Sequence, residues 1–72
     1  MKHIIDKVKI TRDLASGTLY YQGKDFGNEY DNADKLMEYL TYPRKMFTFS
    51  FEHICEDDSY MEHLFLEIIK KD

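Results

Sequence analysis

The feature that most constrains the fold is the alternation in "FTFSFEHICE", where a phenylalanine occupies every second position from residue 47 to residue 51. Side chains alternate between the two faces of a β-strand, so this spacing places three phenyl rings on one face. We predict a strand over residues 45–55 whose phenylalanine face is buried in the core. His53 and Cys55 would share that face, with Cys55 as a small buried residue. The acidic run "EDD" would then begin the solvent-exposed surface.

The N-terminal third predicts a β-hairpin. The segment "IIDKVKITR" alternates apolar and polar residues, with Ile4, Val8 and Ile10 inward and Asp6 interrupting the inner face. Gly17 would take the left-handed conformation that closes the turn. The returning strand "LYYQGK" would then point Leu19 and Tyr21 into the core and Tyr20 and Gln22 outward.

A helix is predicted next, within "DNADKLMEYL". Asp31 or Asn32 would cap it, and Pro43 would stop it within a few residues of its end. Its inward residues recur at helical spacing: Ala33, Leu36, Met37 and Leu40.

The last segment, "SYMEHLFLEIIKKD", fits two structures. As a helix it would have a capping box of Ser59 and Glu62 and one apolar side, formed by Met61, Leu64, Phe65, Ile68 and Ile69. As a strand it would set Leu64, Leu66 and Ile68 opposite Phe51, Phe49 and Phe47. We favour the helix, which gives a single α+β domain over residues 1–72 with the order ββαβα on an antiparallel or mixed sheet. The alternative is ββαββ, with a four-stranded sheet and one helix.

Size and composition exclude several classes of protein. Seventy-two residues build only a small core, which leaves little room for an enclosed substrate cleft. No apolar run approaches the length of a membrane span, and the N-terminal segment lacks the apolar stretch of a signal peptide. A single cysteine forms no internal disulfide. We therefore expect a protein of the cytoplasm that is not an enzyme and holds no cofactor.

The candidates for metal or nucleophilic chemistry are weak. A metal site would be built from His53, Cys55, Asp57 and His63, but structural zinc sites use four ligands in paired Cys or His spacings. Acidic residues directly follow Cys55 and disfavour the thiolate that a nucleophile needs. We predict no metal site and no catalytic residue.

Charge is distributed unevenly along the chain. Residues 1–24 hold five cations against two carboxylates, whereas residues 25–69 hold three cations against eleven carboxylates. Such a molecule steers a basic partner toward its acidic part. The opposing interpretation is that these carboxylates are a solvated surface that keeps a small domain soluble. The predicted partner-binding residues combine carboxylates with tyrosines as interface anchors: Asp31, Asp34, Glu38, Tyr39, Glu56, Asp57, Asp58, Tyr60 and Glu62.

Two other functions compete with protein binding. The predicted hairpin carries a small basic platform for nucleic acid, made of Lys7, Lys9, Arg12, Lys24 and Tyr20. A self-associating subunit would instead use an exposed strand edge or apolar face, giving a homodimer.

The hairpin "KITRDLASGTLYYQGK", the acidic helix "DNADKLMEYL" and the lack of a catalytic motif together resemble the small acidic phage-encoded inhibitors of host defence, of the anti-CRISPR or anti-restriction type. The resemblance covers the general build of the whole chain. It implies a non-enzymatic inhibitor that binds a basic surface of a nucleic-acid-handling complex in the cytoplasm of the host cell. The basic N-terminal third departs from a uniformly acidic DNA mimic.

Overall fold

A computed structural model describes residues 3–71. It shows a five-stranded antiparallel sheet in the order β3-β2-β1-β5-β4 and one helix. The elements along the chain are β1 (Ile4–Asp13), β2 (Leu19–Tyr21), β3 (Lys24–Asp25), α1 (Asn32–Tyr39), β4 (Phe47–Glu56) and β5 (Met61–Lys70).

The predicted ββαβα fold is wrong, because the last segment is the strand β5 and not a helix. The alternative order is correct for this segment, but the sheet has five strands rather than four, since the two-residue β3 follows β2. The alternative register is also displaced by two residues: Phe49 pairs with Ile68 and Phe51 pairs with Leu66. A displacement of two keeps every side chain on its predicted face.

Long-range pairing explains why β5 is a strand although its local pattern also fits a helix. It lies between β1 and β4, so its main-chain groups pair along both edges. On one face it aligns Leu64 with Ile10 and Leu66 with Val8, which builds a continuous apolar surface. A helix in this position would leave both β1 and β4 without their shared neighbour, and unpaired buried main-chain groups are costly.

The core lies between the sheet and α1. We call the sheet face that carries Leu64, Leu66 and Ile68 the helix face, and the opposite one the open face. The helix contributes Ala33, Leu36 and Met37, as the helical spacing predicts. The fully buried or nearly buried residues are Ile10, Leu19, Phe26, Ala33, Leu36, Met37, Leu64, Leu66 and Ile68.

The phenylalanine triplet contributes less to this core than predicted. Phe47 and Phe49 are half-buried and pack against its margin, while Phe51 is 38% exposed. The reason is length, because an eight-residue helix covers about 12 Å and a ten-residue strand runs for about 33 Å. The end of the β4–β5 hairpin therefore extends beyond the helix.

The N-terminal strands form largely as the sequence predicts. Gly17 has a φ of 81°, the left-handed conformation expected for the turn, and Leu19 is fully buried. An irregularity between Ile4 and Asp6 moves Ile4 off the predicted inner face. Ile4 instead pairs with Ile69 on the open face. Asp6 remains on the helix face and accepts a hydrogen bond from the hydroxyl of Tyr42 at 2.8 Å.

Among residues 3–71, no helix has the length and apolar character needed to cross a membrane.

Candidate functional site

The turn between β4 and β5 is organised by one carboxylate. Oδ1 of Asp57 accepts hydrogen bonds from the main-chain N–H and hydroxyl of Ser59, at 2.9 and 2.8 Å, and from the N–H of Met61 at 3.2 Å. Oδ2 lies 3.0 Å from Nε2 of His63. The hydrogen bond from His63, followed by those from Ser59, holds the pKa of Asp57 well below its usual range.

Three segments that are distant in sequence meet at this end of the molecule. The N–H of Leu14 donates to the carbonyl of Tyr60 at 2.9 Å, which attaches the β4–β5 turn to the β1–β2 turn. The side-chain amide of Asn32 donates to the carbonyls of Gly17 and Gly27, at 3.1 and 3.0 Å, which attaches the segment before α1.

These contacts attach the β4–β5 turn and the segment before α1 to the same β1–β2 turn, and both segments expose acidic and aromatic side chains on the surface at this end. Tyr30 is 99% exposed and Tyr60 is 71% exposed. The carboxylates beside them are also exposed, and their side chains have no partner among residues 3–71. We call this surface the acidic end: Glu29, Tyr30, Glu56, Asp58 and Tyr60.

Only three of the predicted partner-binding residues belong to the acidic end, namely Glu56, Asp58 and Tyr60. Asp57 lies between them but structures the turn. The predicted partner-binding set left out Glu29 and Tyr30, whose signal was a tyrosine beside a carboxylate in a turn-rich segment rather than in a helix or strand.

Three further predicted carboxylates lie in or directly before α1, and two of them are paired with cations. Asp34 pairs with Arg44, and Oδ1 of Asp31 lies 3.6 Å from Nζ of Lys35. Glu38 is exposed near the other end of the helix. Tyr39 packs edge-on against Phe26 and Tyr21, so it has a structural contact as well as an exposed ring.

Glu62 lies on the helix face at the centre of a polar cluster. Its Oε1 accepts hydrogen bonds from Nε and one terminal nitrogen of Arg12, at 3.2 and 3.1 Å, and its Oε2 lies 2.7 Å from Nδ1 of His53. Burial raises the pKa of Glu62, but His53 and Arg12 outweigh it and the net pKa is lowered. Arg12 also lies over the ring of Phe51, 5.0 Å from its centroid. Glu62 is thus engaged within the molecule.

Carboxylates of β4 and β5 neutralise two of the four cations of the predicted basic platform. Nζ of Lys7 lies 2.9 Å from Oε1 of Glu52 and 3.9 Å from Oε2 of Glu67. Arg12 is bound to Glu62. Lys24 lies over the rings of Phe26 and Tyr39. Lys24 keeps its charge in these contacts, and Lys9 has no carboxylate partner in the described part of the chain, so two of the four platform cations remain for phosphate.

A groove of about 580 Å³ opens where β2 diverges from β1. Its walls include Lys9, Thr11, Tyr20, Gln22 and His63. Val8, Ile10 and Tyr21 add apolar area to these walls, and the groove is open rather than enclosed. Small-molecule sites bury most of the surface of their ligand, which an open groove does not do.

The prediction that His53 and Cys55 lie on the same face of their strand is wrong. A bulge between them leaves His53 opposite Leu64 on the helix face and Cys55 opposite His63 on the open face. Cys55 is also exposed rather than buried. Within residues 3–71, no group of three or more His, Cys, Asp or Glu side chains is arranged to hold a metal ion.

The β4–β5 hairpin carries opposite charges at its two ends. Glu56 and Asp58 lie at the turn, while Lys45, Lys70 and Lys71 lie where the strands meet the rest of the chain. The strands are antiparallel, so these two groups are separated by nearly the full length of the hairpin. In the folded protein, negative and positive charges are therefore separated along the length of this hairpin, and not between the N-terminal third and the rest of the chain.

No family model, curated protein or solved structure matches this chain.

Proposed function

We propose that this protein is a non-enzymatic inhibitor that binds a basic, nucleic-acid-handling surface of a partner protein through its acidic end. The observation that carries the proposal is the contrast within the β4–β5 turn. Asp57 is tied into the turn by hydrogen bonds, whereas Glu56 and Asp58 on either side of it are exposed and without partners among residues 3–71. A rigid turn thus presents carboxylates that are free to pair with cations elsewhere.

Tyrosines supply the second part of the interface. Tyr60 is next to the free carboxylates, and Tyr30 lies on the adjoining segment. A tyrosine contributes a large contact area with few rotatable bonds, and it is one of the residue types that dominate binding energy at interfaces. Carboxylates at the margin of such a contact accelerate association and make it sensitive to salt.

Inhibition follows from occupancy. A protein surface that binds nucleic acid is basic because it neutralises phosphates. Spaced carboxylates on a rigid turn compete for the same cations, so the acidic end and a nucleic acid exclude each other. This proposal keeps the resemblance to anti-CRISPR and anti-restriction inhibitors, and it places the protein in the cytoplasm of a host cell.

The test begins with affinity capture from a bacterial lysate treated with nuclease, at low and moderate salt. The dissociation constant of the recovered partner is then measured for the natural chain and for the double variant Glu56→Lys/Asp58→Lys. We expect the double variant to bind about tenfold more weakly or worse. Nucleic acid added to the complex should displace the natural chain.

Glu38→Lys is the matched control, because it makes the same charge change at an exposed carboxylate outside the acidic end. It should bind nearly as well as the natural chain. Tyr30→Ala and Tyr60→Ala should each weaken binding by about tenfold or more. Equal loss in all the charge variants, or simultaneous binding of nucleic acid and this protein, would overturn the proposal.

A further inference from the structure

The two edges of the sheet differ in length. One edge is the two-residue β3, too short to receive another strand, and the other is the ten-residue β4. Within residues 3–71 no strand pairs with the outer side of β4. A long unpaired edge is a template for pairing with another chain unless charge, proline or a bulge protects it.

The direction of the main-chain groups shows which residues of β4 are available. The N–H of Lys71 donates to the carbonyl of Met46 at 2.9 Å, and the N–H of Asp57 donates to the carbonyl of Met61 at 3.0 Å. Along an antiparallel strand the N–H and C=O groups of successive residues point alternately to the two sides. The N–H and C=O groups of Thr48, Ser50 and Glu52 therefore point toward β5. The N–H of Phe47 already donates to the carbonyl of Pro43 at 3.0 Å, and its carbonyl accepts from Nε of Arg44 at 3.2 Å. The residues that offer main-chain groups to the open edge are therefore Phe49, Phe51 and His53.

The bulge limits how much of this edge can pair. It lies between His53 and Cys55, and the contacts of Phe47 close the other end, so the edge that can pair is the five-residue segment 49–53. Bulges disrupt ladders at the point where they occur. A partner strand therefore forms its longest regular ladder when it is centred on the middle residue of this segment, Phe51.

The charges flanking this segment are self-complementary. Lys45 precedes it, and Glu56 and Asp58 follow it. In an antiparallel arrangement of two copies, the basic start of each β4 lies beside the acidic end of the other. In a parallel arrangement, like charges would meet at both ends and would repel.

We propose that two copies of this chain pair antiparallel through β4, about a two-fold axis at Phe51, to form a ten-stranded sheet. Phe51 of each copy then lies opposite Phe51 of the other, and Phe49 lies opposite His53. This register forms about six main-chain hydrogen bonds. It also covers the exposed ring of Phe51 with an aromatic cross-strand pair.

The dimer goes beyond the proposed function, because it uses the edge of β4 and not the binding of another protein. It places the two acidic ends at opposite extremes of the β4–β4 ribbon. Such a molecule presents two separate sites for basic surfaces, and binding to two linked surfaces gains from multivalency.

The oligomeric state is measured by sedimentation equilibrium over a range of protein concentrations. The natural chain should show a concentration-dependent dimer, twice the 8.7 kDa mass of the chain. Phe51→Lys should remain a monomer, because a lysine on a strand edge opposes pairing. Phe51→Pro should do the same without disturbing β5, since the lost N–H faces the open edge; circular dichroism checks that both variants fold. A natural chain that stays monomeric at millimolar concentration would overturn the proposal.

A disulfide reports the register directly. In a Cys55→Ser background, Phe51→Cys should give an intermolecular disulfide, because the two copies of the residue at the axis form a hydrogen-bonded pair with Cα atoms about 5.5 Å apart. Phe49→Cys in the same background is the matched control, since its two copies would be about 13 Å apart. Equal cross-linking of the two variants would contradict this register.

A charge exchange tests complementarity. Lys45→Glu and Glu56→Lys should each weaken the dimer, and the double variant should restore most of the loss. Partner capture by the monomeric Phe51→Lys variant separates this inference from the proposed function, because its acidic end is unchanged. If that variant still binds a basic partner, only the multivalent advantage is lost.

Discussion

His53 and Cys55 are two residues apart on β4, yet they lie on opposite faces of the sheet. The bulge between them inserts one residue into the strand, which reverses the alternation that the rest of β4 follows. His53 therefore contacts Glu62 on the helix face, while Cys55 is exposed on the open face. The arrangement removes the pair from consideration as joint metal ligands.

The exposed thiol gives the first prediction. Cys55 should react fully with Ellman's reagent in native buffer, to the same extent as in urea, because no folded element covers it. The measurement is the absorbance of the released thiolate. Cobalt(II) added to the protein should give no thiolate charge-transfer band, since a joint site with His53 would require them on one face. Protection of the thiol in native buffer would contradict the bulged geometry.

The second prediction concerns acid stability. The pKa of Asp57 is lowered in the folded state, so the charged carboxylate stabilises the fold above its ordinary pKa near 3.8, and this contribution is lost as the pH falls below that value. Asp57→Asn should lower the free energy of unfolding at neutral pH and flatten its fall in acid. Urea unfolding between pH 2 and pH 7 measures both effects.

Asp58→Asn is the matched control for this experiment. Asp58 is the next residue, it is exposed, and its side chain has no partner in the described part of the chain. It should leave the stability and its acid dependence unchanged. If both variants behaved alike, the turn would owe nothing to the hydrogen bonds of Asp57.

The third prediction concerns the polar cluster of the helix face. Glu62→Gln should destabilise the protein by about 1–3 kcal/mol, because Arg12 and His53 would lose a charged acceptor that is mostly buried. Glu56→Gln makes the same chemical change at an exposed position and should have little effect. Urea unfolding at pH 7 compares the two. A larger loss for Glu56→Gln would contradict the cluster.

The fourth prediction concerns alkaline stability. The hydrogen bond to Asp6, followed by burial, raises the pKa of Tyr42 above its ordinary value of 10.0. The neutral phenol therefore stabilises the fold below that value, and the contribution is lost as the pH rises through the folded pKa. Tyr42→Phe should cost about 1 kcal/mol at pH 7 and reduce the loss of stability above pH 10. Tyr20→Phe is the control, and an unchanged alkaline limb in Tyr42→Phe would contradict this assignment.

The fifth prediction tests the position of the core. Leu66 is fully buried on the central strand β5, so Leu66→Ala should cost about 2–5 kcal/mol. A loss of that size unfolds a large fraction of a domain this small. Phe51→Ala should cost less, since Phe51 is exposed in the monomer although it belongs to the phenylalanine triplet. A larger loss of stability for Phe51→Ala than for Leu66→Ala would indicate that the phenylalanine triplet forms the core.

Local pattern predicted the parts of the fold whose contacts are close in sequence. The turn at Gly17, the inward side chains of β2 and the apolar side of α1 follow from glycine conformation and from periods of two and 3.6 residues. The segment Met61–Lys70 escaped the same reasoning because its apolar residues satisfy both periods. Only its pairing with β1 and β4 selects the strand.

The candidate site was predicted in part for a related reason. The sequence identified Glu56, Asp58 and Tyr60, which are neighbours along the chain. It could not show that the turn before α1 brings Glu29 and Tyr30 to the same end, because that depends on hydrogen bonds from Leu14 and Asn32. Nor could it show that Lys7 and Arg12 are neutralised by carboxylates that lie 45 and 50 residues further along the chain.

The sequence by itself determined the strands β1, β2 and β4, the short helix, the exposed "EDD" turn and the excess of carboxylates, since each depends on local conformation or on composition. The tertiary structure decided which of those charges are free. It paired Lys7 and Arg12 with acids from β4 and β5, fixed Asp57 in a turn and left β4 as an open edge. Charges separated along the chain interact only after the sheet has brought them within a few ångströms of each other.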